Sequence, residues 1–201
     1  MAFARIERET PPKGFEILYG EGFPFLLSRE LFIKESLHLG QELTEEEFLR
    51  LKEKQEQYLC TEQAMRYLAN REHTRFELLQ KLGRKGFDRE TAIIVLDQLT
   101  EQNLLSEYRY AQIYIQSRLR KRPEGRLLMK NRLAAKQVNR QEADKALDEF
   151  YDEESTRAYV RRAYQIALAK AEEEKARLTL RKMGFTPSEI RMALDEYGPD
   201  E

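Results

Sequence analysis

Apolar positions along this chain fall into a pattern that is repeated three times. Phe87, Val138 and Phe185 occupy equivalent places, and a leucine stands five residues before each of them, at Leu82, Leu133 and Leu180. Nine residues before the same anchors are Leu78, Met129 and Ala176. Apolar residues return five residues after (Ala92, Ala143, Ile190), eight after (Val95, Ala146, Ala193), nine after (Leu96, Leu147, Leu194) and twelve after (Leu99, Phe150, Tyr197). Offsets of this kind line one face of a helix. The residue following each anchor is Asp88, Asn139 or Thr186, all good N-caps. Asn139 with Glu142 and Thr186 with Glu189 have capping-box spacing, and Pro187 stands where a first helical residue needs no N–H. The pattern therefore predicts one helix ending near each anchor and another starting just past it. Gly86 and Gly184 suit the left-handed residue that closes a helix, whereas Gln137 in the second repeat implies either strain or a different turn.

A further helix precedes each pair. Ala64, Tyr67, Leu68 and Arg71 match Ala111, Tyr114, Ile115 and Arg118, and Ala163, Ile166, Ala167 and Lys170 match them in part. The predicted unit is three helices, and one unit alone buries too little apolar surface, so neighbours should stack. The N-terminal segment reads differently. Thr10-Pro11-Pro12-Lys13-Gly14 is a stiff turn, and Phe15, Ile17 and Tyr19 then alternate with Glu16 and Leu18 at a period of two. Gly20-Glu21-Gly22 turns the chain and Phe23 to Leu27 returns it, with Pro24 restricting the second strand to an edge. Ser28 to Leu37 reads as helical, and the box Thr44-Glu45-Glu46-Glu47 starts a helix through Phe48 and Leu51.

The expected fold is all-α: three tandem three-helix repeats in an elongated, curved array, with a small N-terminal extension holding a β-hairpin. The expected divisions are residues 1–58 for the extension, 59–106, 107–154 and 155–201 for the repeats.

Composition narrows the function. Of 201 residues 35% are charged, yet 35 basic and 36 acidic residues leave a net charge of -1, which predicts no general affinity for nucleic acid. Apolar runs are too short to span a membrane, the charged start is unlike a secretory signal, and the lone Cys60 fits a reducing cytoplasm. With two histidines, one cysteine, no phosphate-binding glycine loop and no metal-ligand spacing, the expectation is a protein without enzymatic activity or cofactor.

The distribution of charge is uneven. Arg118, Arg120, Lys121, Arg122, Arg126, Lys130, Arg132, Lys136 and Arg140 face a single acid in the same stretch, Glu124. Glu142, Asp144, Asp148, Glu149, Asp152, Glu153 and Glu154 follow at once. Either the acidic stretch neutralises the basic one internally, or the basic residues await phosphates or an acidic protein face. Arg71-Glu72-His73-Thr74-Arg75-Phe76-Glu77 also admits two readings. In one, Thr74 and Glu77 cap a helix, Arg71 closes the helix before it and His73 fills the corner. In the other, Arg71 and Arg75 touch a partner. The tyrosines and phenylalanines mostly occupy repeat columns, which favours packing over base stacking.

The stretch from Ala64 to Leu105, with its Ala-x-x-x-Leu-x-x-Arg-x-His-Thr-x-x-Glu-Leu-x-x-Lys-Leu core and Lys85-Gly86-Phe87, resembles the RecX family of recombination regulators. Leu104 to Leu119, Gly125 to Leu133 and Leu180 to Ile190 add support, as does Leu39-Gly40-Gln41-Glu42-Leu43 more weakly. Glu107 stands where that family usually has aspartate, and Gln137 where its second repeat has glycine. The resemblance implies a regulator that lies along the RecA recombinase filament, bridging protomers and inhibiting its ATPase, strand-exchange and co-protease activities. The charge distribution offers Arg71, Arg75, Arg118, Arg120, Lys121, Arg122, Arg126, Lys130, Arg132 and Lys136 as the contacts to such a filament or to phosphate, with at most weak single-stranded DNA binding, in a cytoplasmic monomer. The alternative is a helical-repeat DNA-binding protein using segment 118–140. Its three-helix units have the outline of helix-turn-helix modules.

Overall fold

The five-residue interval between leucine and anchor has a direct structural cause. In each repeat the anchor's N–H donates to that leucine's carbonyl: Phe87 to Leu82 at 3.3 Å, Val138 to Leu133 at 3.1 Å and Phe185 to Leu180 at 3.2 Å. This is the bond that closes a helix through one left-handed residue. That residue is Gly86 at φ +91°, Gln137 at φ +57° and Gly184 at φ +89°. Gln137 thus makes the same turn as the two glycines, in the strained region for a side chain. Leu82, Leu133 and Leu180 are fully buried. Phe87, Phe150 and Leu194 are only half-buried.

The computed structural model describes residues 3–11, 14–20 and 23–194. Tyr197, Pro12, Lys13, Glu21 and Gly22, which enter the sequence expectations above, lie outside the described residues. Ten helices and four strands lie within them. The strands are β1 (Ala4–Thr10), β2 (Gly14–Tyr19), β3 (Phe23–Leu27) and β4 (Glu42–Leu43). Helix α1 (Arg29–Lys34) precedes β4. The rest form three triplets: α2 (Glu45–Leu68), α3 (Arg75–Arg84) and α4 (Arg89–Glu101); α5 (Glu107–Lys121), α6 (Arg126–Ala135) and α7 (Arg140–Phe150); α8 (Glu153–Leu168), α9 (Glu173–Lys182) and α10 (Pro187–Leu194).

Contacts group residues 1–67 with 79–99, and 68–78 with 100–201. In the first group an antiparallel sheet has the order β3-β2-β1-β4. The hairpin of β2 and β3 pairs Phe15 with Leu27 and Leu18 with Pro24, and β3 takes the edge that its proline requires. Strands β1 and β4 are additions to the expected fold. Ala4 and Ile6 are buried and alternate with exposed Arg5 and Glu7, so β1 carries the period-two signal of a half-buried strand. They pack with Phe15, Ile17, Leu27, Leu31, Phe48 and Leu51.

The expected boundary at residue 58 is corrected by α2, which runs unbroken from Glu45 to Leu68. Thr44 and Glu47 cap its start reciprocally, at 2.8 and 3.3 Å, and no glycine or proline follows to interrupt it. One helix therefore packs Phe48 and Leu51 on the sheet and carries the first-repeat residue Ala64. The expected boundary at 154 lies inside α8, because Asp152 caps that helix through Ser155 N at 2.7 Å.

In the second group, Ala111, Ile115 and Leu119 of α5 pack with Met129 and Leu133 of α6 and Ala143, Ala146 and Leu147 of α7. A second cluster joins Val160, Ala163, Leu180, Met183, Phe185, Ile190 and Ala193. The two triplets meet backbone to backbone: Gly125 N donates to Met183 O at 2.7 Å. A Cβ at Gly125 would lie 2.2 Å from the Gly184 carbonyl carbon, which is why only glycine fits there.

Candidate partner interface

The corner from Arg71 to Glu77 is built as an internal support. Helix α2 ends at Leu68, so Arg71 stands in the connection and does not close the helix as expected. Its guanidinium lies 3.1 Å from Glu77 and donates to the Glu72 carbonyl at 2.8 Å. His73 is buried, with Nδ1 3.0 Å from the same Glu77 carboxylate. Thr74 Oγ1 accepts from Glu77 N at 3.1 Å, the expected cap. Lys136, from the turn after α6, approaches Glu77 at 3.8 Å. Burial raises the Glu77 carboxyl, yet the hydrogen bond from His73 and the charge of Arg71 together hold it below the usual range. Burial and the nearby Glu77 push the Tyr110 phenol up to about 12.

Glu107 joins this corner to the second repeat. Its carboxylate accepts from Arg75 N at 3.0 Å and from Asn139 N at 2.6 Å, so it sits at the N-termini of α3 and α7 together. Both helix ends favour a negative charge. The bond to Asn139 N also replaces the reciprocal half of the predicted 139–142 capping box. Asn139 Oδ1 still accepts from Gln141 N at 2.8 Å and Glu142 N at 3.4 Å.

The basic segment divides sharply. Six of its nine cations are in ion pairs within the protein. Glu124 is 3% exposed and lies between Arg118 and Arg132, receiving bonds from Arg132 at 2.8 and 3.1 Å and a short one from Arg118. The contact with Glu124 raises the Arg118 pKa further. Arg126 pairs with Asp148 at 2.6 Å, and Lys130 with Asp144 at 2.6 Å. Arg140 lies 3.7 Å from Asp144, and Lys136 is held by Glu77. The acidic flank is thus an internal partner for three of the nine, Arg126, Lys130 and Arg140, which is part of one of the two readings the sequence left open.

Arg120, Lys121 and Arg122 are the exception. They are exposed and form no ion pair among the described residues. Nor is α5 dependent on their side chains for capping. Arg122 N donates to the Arg118 carbonyl at 2.9 Å, and the Arg162 guanidinium of α8 donates to the Leu119 and Arg120 carbonyls at 3.3 Å. Arg162 stands 42 residues from Arg120 and outside the basic run, so no scan for local charge clusters finds it. Lys121 and Arg122 also line a cleft with Lys170 and Ile166. The structure thus brings Arg120, Lys121 and Arg122 to one exposed helix end, ties Arg118 and Arg132 to Glu124, and places Arg71 and Lys136 at Glu77. Among the described residues no helix is long and apolar enough to cross a membrane, and no group of three His, Cys, Asp or Glu side chains is arranged to hold a metal.

Comparison with known proteins gives a consistent result. Residues 60–99 match the family model described as RecX, first three-helix domain. A protein of Halorhodospira halophila named regulatory protein RecX is 35% identical over 150 residues, covering 68% of this chain and 90% of that one. Another of the same name from Clostridium tetani is 26% identical over 169 residues, covering 83% of this chain and 77% of the relative. A crystal structure of regulatory protein RecX superposes with a TM-score of 0.75 over 96% of this chain and 99% of its own, at 21% identity.

Proposed function

The chain belongs to the RecX family of regulatory proteins, and from that premise we propose that it binds the RecA recombinase filament and inhibits it. The observation that carries the proposal is the exposed trio Arg120, Lys121 and Arg122, held at the end of α5 with side chains that no capping bond engages. Like charges gathered without local compensation destabilise the free protein slightly and serve it only on binding. Tandem repeats suit a periodic target, because once one contact is made the next forms at high effective concentration. On this reading the protein acts as a cytoplasmic monomer without a cofactor, and lowers ATPase, strand-exchange and co-protease activities together. Arg71, Arg118, Arg126, Lys130, Arg132 and Lys136 contribute indirectly, by holding the scaffold that presents the trio, and Arg75 belongs with them.

The alternative, DNA binding through the whole segment 118–140, is weakened because six of its cations already neutralise carboxylates. Co-sedimentation with preformed RecA filaments tests the proposal. The protein is expected to pellet with filaments and to stay in the supernatant with bare single-stranded DNA at the same moderate salt. Pelleting with neither, or equally with both, contradicts it.

A further inference from the structure

We infer that the cleft between the end of α5 and the α8–α9 pair is a binding site for an acidic protein segment anchored by one apolar side chain. The inference rests on the proposed partner surface and names the chemistry that one part of it accepts. The cleft has a volume of 350 Å³ and is lined by Lys121, Arg122 and Lys170 around Ile166, Ala167 and Met183, and among the described residues no carboxylate lines it. The ordinary explanation for cations at such a place is that they offset helix dipoles. Helices α5, α8 and α9 end here, and each end carries about half a negative charge, so three cations retain a surplus of about one and a half. The carbonyls of Leu119 and Arg120 already have Arg162, which removes the remaining internal use for that surplus.

The floor decides between two kinds of anion. A single strand of nucleic acid is held by basic grooves in which bases stack on aromatic rings. Among the described residues this cleft has no aromatic lining; its floor is aliphatic and contains a methionine, a side chain that adapts to varied apolar guests. Met183 is buried, whereas Ile166 is 36% exposed at the margin, where an incoming apolar side chain would cover it. Carboxylates flanking that side chain would meet Lys121, Arg122 and Lys170. A peptide of mixed acidic and apolar character satisfies both halves of the cleft, and a polyphosphate satisfies only one.

The test uses the full chain and a fluorescein-labelled dodecapeptide with six glutamates flanking a central Phe-Leu. Companion probes are the same peptide with Ser-Ser at its centre and a labelled twelve-residue oligothymidylate. Anisotropy is expected to show binding of the Phe-Leu peptide, weakened at least tenfold by Lys170→Glu and by Ile166→Asp, while both variants keep the wild-type melting temperature. The Ser-Ser peptide should bind at least tenfold more weakly, and Ile166→Asp should leave any oligothymidylate binding unchanged. The inference is overturned if the Phe-Leu peptide does not bind, if its binding ignores Ile166→Asp, or if oligothymidylate competes for the same site with the same dependence. Filament inhibition by the wild-type protein is measured separately. Inhibition that survives Ile166→Asp after peptide binding is lost removes the cleft from the filament contact and leaves the regulatory reading intact. Absence of wild-type inhibition removes the regulatory reading whatever the peptide does.

Discussion

Glu124 is the residue on which the basic segment turns. It is the lone acid among nine bases in the sequence, and in the structure it is buried against two of them. Glu124→Gln removes the charge that Arg118 and Arg132 share. Breaking a fully buried pair costs about 3–5 kcal/mol, but both guanidiniums are about a third exposed, so screening by water reduces the expected loss to about 1–3 kcal/mol. Urea denaturation checks this, and a loss below 0.5 kcal/mol would show that the arginines are adequately served by solvent. Gln137 gives a prediction of opposite sign. At φ +57° its side chain is strained, so Gln137→Gly is expected to stabilise by about 0.5–1 kcal/mol after allowance for the looser unfolded chain. A destabilised variant would mean that contacts of the glutamine outweigh the backbone strain.

At the scale of elements, α2 offers the sharpest test. A break near residue 58 would leave Tyr58→Pro almost harmless, whereas an unbroken helix predicts a cost of about 3 kcal/mol. Leu133→Ala, in a fully buried repeat column, is expected to cost about 2–5 kcal/mol. Thermal or urea denaturation measures both. The repeat helices were legible because their columns, caps and closing glycines all agree, and the common hydrogen bond from anchor to leucine shows the physical reason. The hairpin was legible from alternation and from Pro24. Strand β1 is hard to read because its alternation covers only Ala4 to Glu7 before a run of charged residues, too short a period to separate from a charged terminal segment. Strand β4, two residues long, has no period to read. The fusion of two predicted helices into α2 is hard to see because capping signals mark a start, and nothing but the absence of glycine and proline marks continuity. Of the interface, the candidate cations were visible but their division was not. Ion pairs such as Arg126 with Asp148 join residues 22 apart, and only the packing of α6 against α7 brings them together. The same holds for Glu107, whose reach to two helix N-termini depends on tertiary placement.

At the scale of the molecule, a chain with a net charge of -1 leaves Arg120, Lys121 and Arg122 grouped at the end of α5. The internal pairs that neutralise the rest of the basic segment make stability depend on acid. The hydrogen bond and charge of Lys130 hold the Asp144 carboxyl below its usual value, and Glu77 is likewise held low by His73 and Arg71 against the opposing effect of burial. A carboxyl with a lowered pKa contributes its full stabilisation above the unfolded-state value, near 4.5 for Glu77 and 3.8 for Asp144, and loses it as pH falls through the folded value. The melting temperature is therefore expected to hold from neutral pH to about 5 and to fall below 4. Glu77→Gln should melt lower than wild type at neutral pH and lose less on acidification. Equal losses would place the acid sensitivity elsewhere.

The most direct test of the central claim is RecA ATPase measured on single-stranded DNA against increasing concentrations of this protein, at a salt concentration where its own binding to DNA is undetectable. Several phosphate contacts lose orders of magnitude in affinity as salt rises, so a protein that works by occupying DNA must fail under these conditions. Inhibition is predicted to persist, and to appear at far less protein than is needed to coat the DNA. The variant with Arg120, Lys121 and Arg122 all changed to glutamine should need at least about tenfold more protein for the same inhibition, with helix content unchanged. Inhibition that requires coating of the DNA and disappears with DNA binding as salt is raised would contradict the account.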